Sequence, residues 1–195
     1  TRLFVHEKVH DRVVEGIAAI ATSMILGPGL DPASNFGPLI SAQQRERVAG
    51  FVEAGRREGG DLVCGGAAPS RPGYFFEPTL FANMRPDMTP VKSEIFGPVL
   101  CVQRFGDGDL AALAQNINST MYGLSGSVWT RDIDTAFRLV RSIEAGVVWV
   151  NCFDEGDMTQ PFGGYKQSGN ARDKCLDSFK SYTQSKSAWF RLQGG

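Results

Sequence analysis

The sequence predicts an α/β fold built on a mostly parallel sheet flanked by helices. Three observations carry this. Residues 99–151 alternate between strand-like and helix-like periodicity and read β-α-β-α-β, with helices long enough for parallel crossovers. Glycines stand where the helical stripes end, at Gly123 and Gly146. Val147-Val148-Trp149-Val150 is an unbroken apolar run, as in a strand covered on both faces. A chain of 195 residues fits one domain better than two, and 42% hydrophobic with 21% charged residues is ordinary for a globular protein.

Taken in order, Thr1-Arg2-Leu3-Phe4-Val5-His6 reads as a strand entered halfway, with no Met and no polar lead-in, and suggests a truncated chain. Val13, Val14, Ile17, Ile20, Ala21, Met24 and Ile25 recur at helical spacing, so a helix is expected over about 8–25. A glycine- and proline-rich loop follows. Its spacing matches no nucleotide-binding fingerprint. Ser41 and Gln44 are spaced as a capping box, each satisfying a backbone donor of the other, and open a second helix with a stripe of Val48, Phe51, Val52 and Gly55. Residues 61–64 form a short strand. The extended run from Tyr74 to Met84 holds Pro78, which excludes a central strand for its first half. Residues 86–90 read as loop.

Leu100–Phe105 is the next expected strand. A helical stripe of Leu110, Leu113, Ala114 and Ile117 follows it, then a strand over 124–130. Asp132 caps a helix with the stripe Ile133, Ala136, Phe137 and Val140, and the Val147–Val150 strand closes the unit. A last helix is expected over about 172–182. Ser185 to Leu192 looks like a terminal strand too aromatic to be left unpaired.

Charge and composition exclude several classes. With 20 basic and 21 acidic residues there is no electrostatic case for nucleic acid or an anionic membrane. No apolar run approaches the roughly 20 residues of a membrane span. Cys64, Cys101, Cys152 and Cys175 are scattered and the only histidines are His6 and His10, so no metal site is expected. Free thiols in a reducing cytoplasm are the expectation.

Two punctuated loops draw attention, because ligands of open α/β sheets bind beyond the carboxyl ends of strands. One is Val91-Lys92-Ser93-Glu94-Ile95-Phe96-Gly97-Pro98-Val99; the other is Pro161 to Gly169. The expectation is that both face one active-site cleft. Glu94 is either a solvated carboxylate or an acceptor for a ligand's hydroxyls, and with Phe96 it offers a grip for a sugar and a flat heterocycle. Gly163 and Gly164 either make a tight turn or let backbone approach a ligand, with Phe162 as a wall. Asp154-Glu155-Gly156-Asp157 is a solvated charge run or a pocket mouth suited to a cation. Cys152 is the best placed thiol, yet nothing nearby would activate it, and it reads as a buried structural cysteine.

Ser93-Glu94-Ile95-Phe96-Gly97-Pro98-Val99, Tyr122-Gly123-Leu124, Ala145 to Asn151 and Pro161 to Gly169 resemble, in order and spacing, the C-terminal part of the NAD(P)-dependent aldehyde dehydrogenases. The resemblance implies a catalytic-domain fold over 1–183 and an oligomerisation strand or tail over 184–195. It implies oxidation of an aldehyde to a carboxylic acid: a cysteine thiolate attacks the aldehyde, hydride passes to NAD or NADP, and glutamate-activated water hydrolyses the thioester. Glu94 would bind the nicotinamide ribose and Phe96 would flank the nicotinamide, with Gln44 and Arg47 near the cofactor ribose. Phe162 would line the aldehyde tunnel, and Cys152, Phe153 and Asp154 would set substrate choice. The acidic stretch with Asp157 looks most like γ-glutamyl-γ-aminobutyraldehyde and related aminoaldehyde dehydrogenases.

The family's nucleophilic cysteine falls a few residues before Thr1, and its general-base glutamate and cofactor domain further upstream. No catalytic residue is therefore assigned in this chain, which is expected to be inactive by itself. The alternative is a non-catalytic assembly module derived from the same fold. The parent is expected to be a cytoplasmic homo-oligomer, a dimer or tetramer, acting on a small aldehyde, with no nucleic acid, membrane or metal involved.

Overall fold

A computed structural model describes residues 1–108 and 110–192. The chain divides into two compact units, Thr1–Asp109 and Leu110–Gly195.

The first unit is organised on a four-stranded sheet in the order β1-β4-β3-β2. Its strands are β1 (Arg2–His6), β2 (Asp61–Cys64), β3 (Thr79–Ala82) and β4 (Val99–Phe105). β4 runs parallel to both β1 and β3, and β2 closes the edge antiparallel to β3. The sheet is thus mixed, three strands parallel. Pro78 stands just outside β3, where its missing N–H breaks no ladder.

Side-chain alternation splits the core in two. Leu80, Ala82 and Val102 pack with Val5 and Val14, and with Val13 and Ile17 of α1 (His10–Ser23). Phe81, Val99 and Cys101 point the other way, to Val48 and Val52 of α2 (Ala42–Arg57) and to Met88, Val91 and Ile95. Period-two alternation of this kind requires an apolar layer on each face. The outer members of the expected α1 stripe, Ile20 and Ile25, remain exposed.

One short helix was not legible in the loop reading of 86–90. α3 (Thr89–Lys92) starts there because Pro90 sits in its first turn and Glu58 caps it from the end of α2. The Glu58 carboxylate accepts from Thr89 N at 2.6 Å and from Thr89 Oγ1 at 2.5 Å. Those bonds, the hydroxyl's first, hold its pKa below the usual carboxylate value.

The second unit holds α4 (Leu110–Ile117), β5 (Tyr122–Gly123), β6 (Ser125–Val128), α5 (Ile133–Ser142), β7 (Val147–Val150) and β8 (Tyr165–Lys166). β6 and β7 pair in parallel across α5, and β5 pairs with β8 antiparallel. The expected β-α-β-α-β run is therefore not one sheet: β4 pairs with β1 and β3, and β6 with β7. Asp132 caps α5 as expected, its Oδ2 accepting from Thr135 N at 2.7 Å. The buried face of α5 is Ala136 and Leu139, while Ile133 and Phe137 are exposed. Both sets obey helical spacing, so periodicity alone could not choose between them.

The last helix is also shorter than expected, a 3₁₀ segment over Leu176–Tyr182. Asp173 exchanges two backbone hydrogen bonds with Phe162, and Lys174 and Cys175 take left-handed φ values of 59° and 48°. Neither geometry belongs in a right-handed helix. Residues 185–192 form no strand, and Trp189, Phe190 and Leu192 are almost fully exposed. Residues 193–195 of the expected tail lie outside the described residues. Among the described residues no helix is long and apolar enough to cross a membrane, and no cluster of metal-ligating side chains occurs.

Candidate functional site

In the first unit the loop between α3 and β4 is fixed from below and presents its functional groups outward. Val91 and Ile95 are buried in the α2-side core. Gln44 Nε2 donates to the carbonyls of Ile95 and Phe96, both at 2.9 Å. Arg47 donates through Nη2 to Glu94 O at 2.8 Å and through Nη1 to Ile95 O at 3.1 Å. Three successive carbonyls are thus held by two side chains one turn apart on α2. Gly97 lets the loop lie close on that helix: a Cβ there would meet Val48 Cγ2 at 2.5 Å.

This corrects the capping box. Ser41 Oγ does accept from Gln44 N at 3.1 Å, but the Gln44 amide donates across 51 residues to the loop instead of returning to Ser41. The reciprocal bond would need Gln44 Oε1 to accept from Ser41 N, whereas the amide is turned to place Nε2 on the carbonyls of Ile95 and Phe96.

What the loop displays is Glu94 and Phe96. The Glu94 side chain makes no hydrogen bond or ion pair among the described residues, and the Phe96 ring is 77% exposed. Phe96 sits at φ 57°, a conformation that costs a non-glycine residue about 1–3 kcal/mol and persists only where its surroundings hold it. Gln44 and Arg47 supply that restraint. Thr1 runs alongside, with its carbonyl accepting from Cys101 N at 3.0 Å. A held, unpaired carboxylate beside an open aromatic face can accept two hydroxyls of a diol and cover a flat ring. The nearby recess of about 320 Å³, lined by Phe36, Pro38, Leu39, Phe76, Gly97 and Pro98 among others, includes neither residue.

The second set of expected site residues lies in the second unit, in the loop after β7. Asn151 begins it at φ 54°, its amide accepting from Thr130 N at 2.9 Å and donating to Thr130 O at 2.8 Å. Cys152 is half-buried rather than buried, and its carbonyl accepts from Ser127 Oγ at 2.8 Å. The Phe153 ring is exposed and packs 5.2 Å from Trp149, whose indole donates to Glu155 O at 2.6 Å. Asp154 is exposed, at φ 57°, with no partner among the described residues.

Asp157 is engaged inside the loop. Its Oδ1 accepts from Thr159 N at 2.7 Å and Thr159 Oγ1 at 2.6 Å, and the hydroxyl bond first, then the amide, hold its pKa below the ordinary 3.8. Phe162 is half-buried, tied to Asp173 and overlain by Lys174 Nζ at 5.7 Å. The glycine pair that follows is packed against its own chain. A Cβ on Gly163 would meet Ala171 O at 2.3 Å, and one on Gly164 would meet Ser168 at 2.5 Å. A second recess, about 430 Å³, is lined by Gly164, Tyr165, Lys166 and Gly169 of the 161–169 loop with Glu144, Asn170 and Arg172, and includes none of Cys152, Phe153, Asp154, Asp157 and Phe162.

Sequence reasoning missed three contributors: Asn151 as a clamp on Thr130, Trp149 as a prop for Phe153, and Lys174 over Phe162. Only Asn151 left a local signal, a side chain tolerant of left-handed φ directly after a strand.

The family model described as the aldehyde dehydrogenase family matches residues 1–188. The chain is similar to aldehyde dehydrogenase family 2 member B4, mitochondrial, of Arabidopsis thaliana, 42% identical over 186 residues, covering 95% of this chain and 34% of that protein. It is similar to betaine aldehyde dehydrogenase of Brucella anthropi, 38% identical over 196 residues, 98% of this chain and 40% of that protein. The NAD+ complex of the aldehyde dehydrogenase from Bacillus cereus superposes with a TM-score of 0.90 at 38% identity, covering 98% of this chain and 39% of that one. The chain therefore spans less than half the length of each of these proteins.

Proposed function

Because the chain belongs to the aldehyde dehydrogenase family, we propose that it supplies part of the cofactor and substrate sites of an enzyme that oxidises an aldehyde to a carboxylic acid with NAD+ or NADP+. The observation that carries the reading is the Glu94–Phe96 loop, whose backbone is held by Gln44 and Arg47 while its carboxylate and ring stay open. A nicotinamide nucleotide, when bound, supplies the hydride acceptor. Glu94 would accept hydrogen bonds from its ribose hydroxyls, and Phe96 would cover the flat ring. Gln44 and Arg47 serve the cofactor through the loop they hold. The resemblance puts the nucleophilic cysteine a few residues ahead of Thr1, outside these 195 residues.

The substrate is proposed to be an aminoaldehyde, met by Cys152, Phe153, Asp154, Asp157 and Phe162. Asp154 supports this best, since Asp157 already has partners within the loop. The 195 residues alone are proposed to be inactive, because the resemblance places the nucleophile and general base outside them. The parent is proposed to be a homo-oligomer, and the bare Trp189, Phe190 and Leu192 support a tail that is covered by a second copy.

Steady-state kinetics of the full-length natural enzyme test the cofactor reading. Glu94→Gln and Phe96→Ala should each raise the KM for NAD(P)+ by roughly ten-fold, about the worth of one charge-assisted hydrogen bond or one ring contact. Unchanged cofactor KM and kcat in both variants would remove the loop from the cofactor site. Aldehyde-dependent NAD(P)H formation by the isolated 195 residues would overturn the claim of inactivity.

A further inference from the structure

The acidic loop after β7 already has a cation in it. Lys174 Nζ lies 5.7 Å from the centre of the Phe162 ring, and 3.9 Å from where a Cβ on Gly156 would stand, between Glu155 and Asp157. Its charge also reaches Asp157, lowering that carboxyl's pKa after the larger contributions from Thr159. The ammonium makes no ion pair within 4.0 Å of any carboxylate among the described residues. It is held in place through its backbone instead. Asp173 is bonded to Phe162 in both directions, at 2.9 and 2.7 Å, and Cys175 N donates to Met158 O at 2.7 Å. Those three bonds bracket Lys174, and its φ of 59° turns the side chain out of a helical path. The ammonium thus lies over the Phe162 ring, beside the backbone of Gly156 and within electrostatic reach of Asp157.

We propose that Lys174 is a specificity-determining residue: a resident ammonium over Phe162 that competes with the cationic tail of an aldehyde and so sets how strongly the loop prefers charged over neutral substrates. This rests on the reading that the loop with Phe162 borders the aldehyde site. Both the ring face and the carboxylates attract any ammonium that reaches them. The lysine is covalently present at a high local concentration, so a substrate ammonium has to displace it or share its counter-charges. Removing its charge lifts its pull on Asp157 and leaves the Phe162 face free for a substrate ammonium. A neutral aldehyde of the same length gains nothing from this.

The test uses the full-length enzyme and two aldehydes of equal length, 3-aminopropanal and butanal. Lys174→Met keeps the stem and removes the charge; Lys174→Gln is a second charge-free variant should the first not fold. The ratio of kcat/KM for 3-aminopropanal over butanal should rise about two- to five-fold in either variant, the range for one surface charge interaction. Lys174→Arg should keep the wild-type ratio, and the gain in Lys174→Met should shrink at high salt. An unchanged ratio in Lys174→Met and Lys174→Gln overturns the proposal. If Asp154→Asn still lowers the ratio and Phe162→Ala still alters both substrates, the loop remains the aldehyde site and only the role of Lys174 is lost. If Asp154→Asn and Phe162→Ala change neither aldehyde's kcat/KM, the underlying reading fails and the proposal with it.

Discussion

A Cβ on Gly97 would stand 2.5 Å from Cγ2 of Val48, a residue with no exposed surface at all. That pair fixes how closely the Glu94–Phe96 loop lies on α2. Gly97→Ala should therefore cost about 1–3 kcal/mol by overpacking. Thermal or denaturant unfolding measures it. The added Val48→Ala change should return part of the loss, giving a non-additive double-mutant cycle. Simple additivity would mean that the contact is not the source of the cost.

Gln44 and Arg47 hold the loop by four donor contacts to carbonyls. Gln44→Ala and Arg47→Ala should each destabilise the protein by about 1–2 kcal/mol. Each should also raise the cofactor KM in the full-length enzyme, since a left-handed Phe96 loses its restraint. Arg47→Lys should recover little of this, because the guanidinium reaches the two carbonyls with two separate coplanar nitrogens and lysine offers one nitrogen on a flexible stem. Full recovery by lysine in both stability and KM would show that charge alone matters there.

Asp157 gives the acidic loop a pH limit. Its folded-state pKa is depressed, by Thr159 Oγ1 first and Thr159 N second. A depressed carboxyl contributes stability above its unfolded pKa and loses it as pH falls through the folded one. The Thr159 amide should thus be protected from hydrogen exchange at neutral pH and become exposed only below the ordinary carboxylate value of 3.8. Asp157→Asn should remove that pH dependence. Loss of protection between neutrality and the ordinary value would contradict the assignment.

The four thiols should differ in reactivity. Burial pushes the Cys101 thiol up to about 11, and Cys101 is 1% exposed. Cys152 and Cys175 are only half-buried. Iodoacetamide at mildly alkaline pH, followed by mass spectrometry, should label Cys152 and Cys175 while Cys101 stays unmodified until denaturant is added. Early labelling of Cys101 would mean that the sheet opens far more readily than its packing implies.

The amino-acid sequence by itself determined what depends on near neighbours in the chain. Helical spacing located α1, α2, α4 and α5; side-chain oxygens at Ser41 and Asp132 marked where two of them start; alternating and continuous apolar runs located β4 and β7. The Glu94–Phe96 loop was legible for the same reason, as a carboxylate and a ring closed by Gly-Pro. Tertiary structure alone decided which face of α5 is buried, because Leu139 and Phe137 satisfy the same periodicity and only the packed sheet distinguishes them. It also decided that residues 173–175 follow Phe162 instead of winding into a helix, and that Lys174 ends on an aromatic ring. The task of Gln44 shows the limit most plainly. From its neighbours it reads as a cap for Ser41, yet its donor serves carbonyls 51 and 52 residues away. A hydrogen bond is spent on whichever acceptor the folded chain brings within 3 Å, and spacing along the sequence carries no record of that meeting.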